Sequence, residues 1–201
     1  MNQSIYSPAR DLNIESLRYS GYSPGQGEVI RELGFWLSTY PWDFFGTFVF
    51  ATRWSYESSI RVWAQFINDL ERYSRGRVAW VRGDERRWSG CDHPGTASHI
   101  HALLMFKNSR VYWPSADGLL TEAEVTFPVR DAWHKLAGRS DVRIYNPSLG
   151  GTYYVVKLSR YPPYNWDLGN LKYFRQVPQE AQSRRYLVRM AELRHPPLVG
   201  D

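Results

Sequence analysis

The chain of 201 residues is long enough for one domain with a substantial buried core. Its single cysteine excludes an internal disulfide and a zinc cluster built from several cysteines, and no apolar run approaches the ~20 residues of a membrane-spanning helix. The 25 Lys and Arg against 20 Asp and Glu give a net charge of +5, and the chain also contains 9 Trp, 14 Tyr and 9 Phe. Because arginine pairs with phosphate and aromatic rings stack on unpaired bases, this composition is compatible with nucleic-acid binding.

The first half of the chain predicts one short helix, one strand and one long helix. Residues 1–40 mix polar residues with Gly and Pro and predict an arm that leads into a short helix near residues 29–38. The run "FFGTFVFAT", residues 44–52, is rich in aromatic and β-branched residues and predicts a buried strand. An amphipathic helix after a Ser55 cap is predicted because apolar residues recur every three or four positions, at Ile60, Trp63, Ile67 and Leu70.

The central part of the chain predicts a hairpin. Residues 77–87, "RVAWVRGDERR", and residues 98–106, "SHIHALLMF", each have the pattern of a strand, and they are close enough in sequence to pair. A helix closed by Gly138 is predicted from Val129, Ala132, Trp133 and Leu136.

The last part of the chain predicts a strand and two helices. Residues 141–147 are predicted as the strand. In the segment "LGGTYYVVKLSRY" a helix is predicted to begin after the two glycines, and a basic helix covers residues 180–194. This order of elements predicts an α+β fold with a central, mainly antiparallel sheet flanked by helices.

Two histidines in the third strand are the first candidates for chemistry. In a strand, residues two apart project from one face about 6.5–7 Å apart, so His99 and His101 can converge on one metal ion. Two ligands rarely suffice, and the carboxylates Asp84 and Glu85 end the neighbouring strand. Alternation of faces leaves both carboxylates open as the third ligand, because Gly83 could introduce a bulge.

A tyrosine and a lysine in the helix after the fourth strand are the second candidates. Tyr154 and Lys157 are three residues apart and therefore share a helix face. A nearby ammonium and a polarised phosphate would help a phenol to act as a nucleophile. Tyr153 is the alternative to Tyr154, but adjacent helical residues point about 100° apart, so one of the two can face the histidines.

The motifs "FGTFVFAT", "HIHALL" and "YVVK", in this order, resemble those of the HUH endonuclease superfamily, and in particular its single-tyrosine rolling-circle replication initiators (Rep proteins). The resemblance covers residues 42–160. It implies a five-stranded sheet with an RRM-like core and a divalent cation, Mg or Mn, held by His99, His101 and a carboxylate, for which we favour Glu85. It also implies that Tyr154 attacks single-stranded DNA, assisted by Lys157, and leaves a 5′-phosphotyrosine and a free 3′-hydroxyl.

The resemblance also implies partners and an organisation of the chain. We expect an N-terminal arm and short helix over residues 1–40, the endonuclease domain over residues 41–175, and a basic helix and tail over residues 176–201 packed on it. Single-stranded DNA or an origin hairpin is the expected ligand, and a host helicase is an expected partner because the chain lacks a Walker A loop and room for a helicase domain. The candidate DNA contacts are arginines near the proposed site, namely Arg82, Arg86, Arg87 and Arg160, and further arginines lie in the C-terminal helix, at Arg184, Arg185, Arg189 and Arg194.

The start of the chain lacks the apolar centre of a secretory signal, so we expect a cytoplasmic protein of a bacterial, archaeal or phage-infected cell without a membrane partner. Three other functions stay open at this point. They are a nucleic-acid-binding module without catalysis on the same scaffold, an HUH transposase, and a metal-dependent hydrolase of a small substrate.

Overall fold

The computed structural model describes residues 24–52, 56–85, 99–108, 120–156 and 166–193, with the backbone alone at residues 24–26, 56, 85 and 192. Five helices and five strands lie in these ranges, together with two short 3₁₀ helices, Pro147–Leu149 and Leu171–Tyr173. In chain order they are α1 (Pro24–Leu37), β1 (Phe44–Phe50), α2 (Tyr56–Ser74), β2 (Val78–Glu85), β3 (His99–Phe106), α3 (Glu122–Leu136), β4 (Gly138–Ile144), α4 (Gly151–Val156), β5 (Trp166–Gly169) and α5 (Gln179–Glu192).

The five strands form one sheet in the order β4-β1-β3-β2-β5, and every neighbouring pair is antiparallel. The expected α+β fold with a five-stranded antiparallel sheet is therefore confirmed, as is the β2–β3 hairpin. The first four strands follow a βαββαβ connectivity in which β3 lies between β1 and β2, and β1 lies between β3 and β4. This is the split βαβ arrangement of ferredoxin-like folds.

One face of the sheet packs against α2 and α3 and forms an aromatic core. Because side chains alternate along a strand, Phe44, Phe48 and Phe50 of β1 all project to this face. There Phe48 contacts Trp63 of α2 and Trp133 of α3 with ring centroids 5.6 and 5.2 Å apart. Each fully buried large side chain contributes about 1.5–3 kcal/mol, so this layer is the main source of stability.

The other face of the sheet is covered by α1 and α4 at one end. Ile30 of α1, Leu103 and Met105 of β3, and Val155 of α4 are buried together in this second apolar cluster. At the other end of the same face the strands carry polar and imidazole side chains instead, at Thr47, His99 and His101. The alternation along β3 thus places the histidines on the face of the sheet away from the aromatic core, next to the part of that face that α1 and α4 cover.

Several element boundaries differ from the sequence expectation. Helix α1 begins at Pro24 rather than near residue 29, and α3 begins at Glu122, because Thr121 and Glu124 form a capping box in which each side chain binds the other's backbone N–H. Gly138 does not close α3 but opens β4, where a Cβ atom would lie 2.3 Å from the Val49 carbonyl oxygen.

Helix α5 is held on the domain by a buried carboxylate. Asp43, just before β1, accepts hydrogen bonds from the Phe106 backbone N–H at 2.6 Å, from Arg185 at 2.9 Å and from Arg189. Arg185 and Arg189, two of the C-terminal arginines that the sequence grouped with DNA contacts, are therefore engaged in fixing α5. In the part of the chain that the structure describes, no helix combines the length and apolarity needed to cross a membrane.

Candidate functional site

The two histidines lie side by side on the central strand β3. The registers with β1 and β2 place Thr47 and Gly83 opposite His101, and Val49 and Glu85 opposite His99. The two imidazole centroids are 4.7 Å apart and the rings are nearly perpendicular. His101 is buried and His99 is half-buried, so the pair is more accessible to solvent at the end of the strand, where His99 lies.

A threonine of the neighbouring strand fixes one imidazole. Thr47 Oγ1 lies 3.0 Å from His101 Nδ1. When Nδ1 carries the proton and donates it to Thr47 Oγ1, Nε2 presents its lone pair as a ligand or acceptor, which is the arrangement that metal-binding histidines need. Thr47 lies within the run "FGTFVFAT", but no role was predicted for it; a hydroxyl two residues after Phe45 on an otherwise apolar strand was the available signal.

One of the two candidate third ligands, Asp84, lies on the face of the sheet opposite to the histidines. Strand β2 runs in regular register through Gly83, without a bulge, so Asp84 pairs with Ile100 of the aromatic core. The buried Asp84 carboxylate lies 3.8 Å from the Arg82 guanidinium, on the side of α2. Glu85 pairs with His99, and its side chain lies outside what the structure describes. Among the described side chains, no three of His, Cys, Asp or Glu gather at one point.

Tyr154 packs against His101, the buried member of the histidine pair. Its ring centroid is 4.6 Å from that of His101 and 6.1 Å from that of Phe45, with both contacts edge-to-face. The side chain is 42 % exposed, so it is held by its neighbours and still reachable from solvent. Two glycines allow this approach: Gly150 adopts a left-handed conformation with φ 64°, and a Cβ at Gly151 would lie only 3.1 Å from the Phe45 ring.

The adjacent Tyr153 points elsewhere. Its ring packs on α1 at Gly34, where a Cβ atom would lie 2.3 Å from the ring. Burial raises the pKa of Tyr153, and the negative charge of Glu32 raises it further, so its phenolate is disfavoured. The two tyrosines thus diverge as the helical rotation requires, and Tyr154 is the one brought to the histidines.

One candidate DNA contact is contradicted by the structure. Arg82 is 1 % exposed, and its guanidinium lies 5.7 Å from the Trp63 ring and 6.0 Å from the Trp80 ring. The reason is its parity on β2, which turns it toward α2, where two indole faces and Asp84 compensate for its burial. Arg82 therefore does not present its charge to a phosphate in solvent. Other expected site residues lie outside the described residues, namely Lys157, Arg86, Arg87, Arg160 and Arg194.

A pocket of about 320 Å³ begins at Tyr154 and His101 and extends to the edge strand β4. Phe45, Tyr145 and Leu149 contribute its apolar wall, and its polar lining comes from Thr47, His101, Asp141, Arg143, Asn146 and Tyr154. Arg143 donates to Asp141 at 3.1 Å, and this hydrogen bond and charge raise the pKa of Arg143.

Asp141, Arg143 and Asn146 were not predicted as site residues. For Asp141 and Arg143 the available signal was polar alternation on one face of a strand, whereas Asn146 follows the end of that strand. Comparisons with protein-family models, with curated proteins and with solved structures each give no match, so the function is inferred from the site itself.

Proposed function

We propose that this protein is a metal-dependent endonuclease that nicks and rejoins single-stranded DNA through one tyrosine, in the manner of HUH enzymes. The observation that carries the proposal is the contact of Tyr154 with His101, at a ring separation of 4.6 Å, while His101 in turn lies 4.7 Å from His99 on the same strand. Tyr154 and His101 come from motifs that are more than fifty positions apart in the sequence, and both line one pocket.

The residues present fit a divalent cation. Two neutral imidazoles on one face, one of them oriented by Thr47, are suitable ligands, and Glu85 is the carboxylate whose backbone position is nearest in register. Two metal–nitrogen bonds of about 2.1 Å place the ligating nitrogens at most about 4.2 Å apart. The ring centroids are 4.7 Å apart, and nitrogens on the facing sides of the two rings lie closer together than the centroids, so both can reach one ion. When bound, Mg or Mn would act as a Lewis acid on a non-bridging oxygen of the scissile phosphate.

The chain's own part of the reaction is carried by Tyr154. Its phenolic oxygen attacks phosphorus in line, the phenolic proton leaves to solvent, and the bond from phosphorus to the 3′-oxygen breaks. The departing 3′-oxygen takes up a proton and becomes a free 3′-hydroxyl, while the 5′-phosphate stays on Tyr154 as a phosphodiester. Contact with His101 and Phe45 limits the swing of the attacking ring, which lowers the entropic cost of reaching the in-line geometry.

The product suggests the biological use. A free 3′-hydroxyl can prime DNA synthesis, and a stored phosphotyrosine bond can later be rejoined to a new 3′-end without an external energy source. We therefore propose initiation of rolling-circle replication at a single-stranded or hairpin origin, with a host helicase that unwinds the duplex and Lys157 assisting near the phosphate. The setting would be the cytoplasm of a bacterial, archaeal or phage-infected cell.

The test is a denaturation-resistant adduct with single-stranded oligonucleotides carrying a label at the 3′-end, since the protein keeps the downstream fragment. A panel of oligonucleotides is incubated with Mn or Mg and separated in SDS. Wild type forms a labelled adduct, Tyr154→Phe forms none, and Tyr153→Phe, the matched control one residue away, still forms it. An adduct with Tyr154→Phe that is lost in Tyr153→Phe would overturn the assignment.

The other candidate functions are outcomes of the same experiment. If wild type binds the oligonucleotides with a strong salt dependence but gives no adduct with either metal, the protein is a binding module without catalysis. If it neither binds nor forms an adduct, the site serves a small substrate. If the strand held on Tyr154 is transferred efficiently to the 3′-hydroxyl of unrelated strands, transposition is the better assignment. Loss of the adduct in His99→Ala and His101→Ala, with unchanged circular dichroism, ties the activity to the pair.

A further inference from the structure

The pocket beside Tyr154 is larger than the nucleophile and the histidine pair need. From the contact between Tyr154 and His101 it continues past Phe45 to the edge strand β4, and its volume of about 320 Å³ is at the small end of ligand pockets. Leu149, at its rim, is 75 % exposed, more than the other large apolar side chains of the described residues. The rim of the pocket beside Tyr154 is therefore apolar and open to solvent, so a flat apolar face of a ligand can cover it.

The polar groups of this pocket combine hydrogen-bond donors with acceptors. Asp141 and Arg143 are two residues apart on β4, are joined by a hydrogen bond of 3.1 Å and both line the pocket. The pair remains mostly exposed, so both side chains can exchange part of their mutual contact for a ligand. A carboxylate beside a guanidinium matches the mixed donor and acceptor edge of a nucleobase better than it matches a phosphate, which the carboxylate would repel.

The remaining wall is held in place before any ligand arrives. Asn146 Oδ1 accepts hydrogen bonds from Ser148 N at 2.9 Å and from Ser148 Oγ at 2.7 Å, which fixes the 3₁₀ turn that carries Leu149. Asn146 also hydrogen-bonds Tyr186 of α5. A preformed wall reduces the ordering cost of binding, as recognition pockets require.

We propose that this pocket takes one unpaired DNA base next to the scissile phosphate, stacked against the aromatic side of the pocket and read at its edge by Asp141 and Arg143. The identity of the ligand as single-stranded DNA rests on the proposed function. The pocket thereby sets a base preference and positions the neighbouring phosphate in front of Tyr154, since a base held here limits where its own backbone can lie.

The test is an equilibrium binding scan by fluorescence anisotropy in EDTA, so that no nicking occurs. The probe is the oligonucleotide that forms the adduct or, if none does, the tightest binder of the panel, with an abasic site placed at each position in turn. One position should weaken wild-type binding about tenfold when abasic, the loss typical of a stacked base. At that position, exchange among the four bases should change affinity about tenfold.

Two arginine variants separate base reading from charge. Arg143→Ala should reduce the base preference at that position to less than about threefold. Arg139→Ala removes the same charge from the same face of β4 outside the pocket and should keep the preference. The edge-reading role is overturned if both variants lower affinity equally and keep the preference, and the pocket assignment is overturned if no abasic position weakens binding. An adduct without any sensitive position refutes this inference alone, whereas a sensitive position without an adduct refutes only the nicking activity.

Discussion

The buried carboxylate of Asp43 should be worth a large part of the stability of this domain. Asp43 is 0 % exposed, and its partner Arg189 is also buried. The second partner, Arg185, is partly exposed, and its guanidinium lies 2.9 Å from the Asp43 carboxylate. Substituting Asp43 with Ala removes the carboxylate that pairs with the buried Arg189 guanidinium and accepts a hydrogen bond from the Phe106 N–H. Removing one member of a buried ion pair costs about 3–5 kcal/mol, and the Arg185 contact adds little because water screens it. Against a total of about 5–15 kcal/mol, the variant should be close to unfolding.

Urea unfolding followed by tryptophan fluorescence measures this loss. The control is Asp141→Ala, which breaks a mostly exposed pair with Arg143 and should cost less than about 1 kcal/mol. The double variant Asp43→Ala with Arg189→Met should regain part of the lost stability, because it removes the buried guanidinium and keeps an apolar stem. A loss below about 1 kcal/mol in Asp43→Ala would refute the reasoning, as would a double variant less stable than Asp43→Ala alone.

Two further predictions concern the site and its surroundings. Thr47→Val keeps the shape of the side chain but removes its hydrogen bond to His101, so the Mn concentration for half-maximal adduct formation should rise about 10–100-fold. Thr47→Ser keeps the hydroxyl and should stay near wild type. Equal Mn dependence of wild type and both variants would contradict the positioning role of Thr47. Burial raises the pKa of Tyr145 well above its usual range, so the folded state keeps the neutral phenol. In the unfolded chain a tyrosine ionises near pH 10. Above that pH the free energy of unfolding of wild type should therefore fall by up to about 1.4 kcal/mol per pH unit more than that of Tyr145→Phe, and below it the two slopes should be equal. Parallel stability curves of the two proteins above about pH 10 would show that Tyr145 is not shielded from water.

The elements with a strong hydrophobic period were predictable from the sequence. Strand β1 follows from its aromatic and β-branched residues, strands β2 to β4 from short runs with a strand pattern, and helix α2 from apolar recurrence every three or four residues. Strand β5 was not located, because "WDLG" is four residues long and lies among Pro, Gly, Asn and Asp, which read as a loop. It is a strand because the edge of β2 offers unpaired backbone groups, which is a tertiary effect that no local pattern shows.

The candidate site was partly predictable for similar reasons. Spacing alone indicated that His99 and His101 share a face, and helical rotation indicated that Tyr153 and Tyr154 diverge, but which tyrosine meets the histidines depends on how α4 packs. Arg82 was wrongly expected at the surface because a charged residue on a strand usually faces water. Its burial depends on indole rings supplied by another helix and by its own strand, which the local sequence of β2 does not show.

The core and the candidate site are specified by the same alternation along three strands. On β1 and β3, phenylalanines and aliphatic residues of one parity build the aromatic core, while Thr47 and His101 have the other parity and meet Asp141 of β4 in one row across the sheet. A slip of one residue in β3 would turn both histidines into the layer of Phe48 and Trp63, where polar groups without partners cost several kcal/mol. The hydrophobic core therefore enforces the register that aligns the imidazoles with their threonine and with the pocket. The backbone register of the site therefore needs no stabilising contacts beyond those of the core, and Thr47 has only to orient the imidazole that this register brings to it.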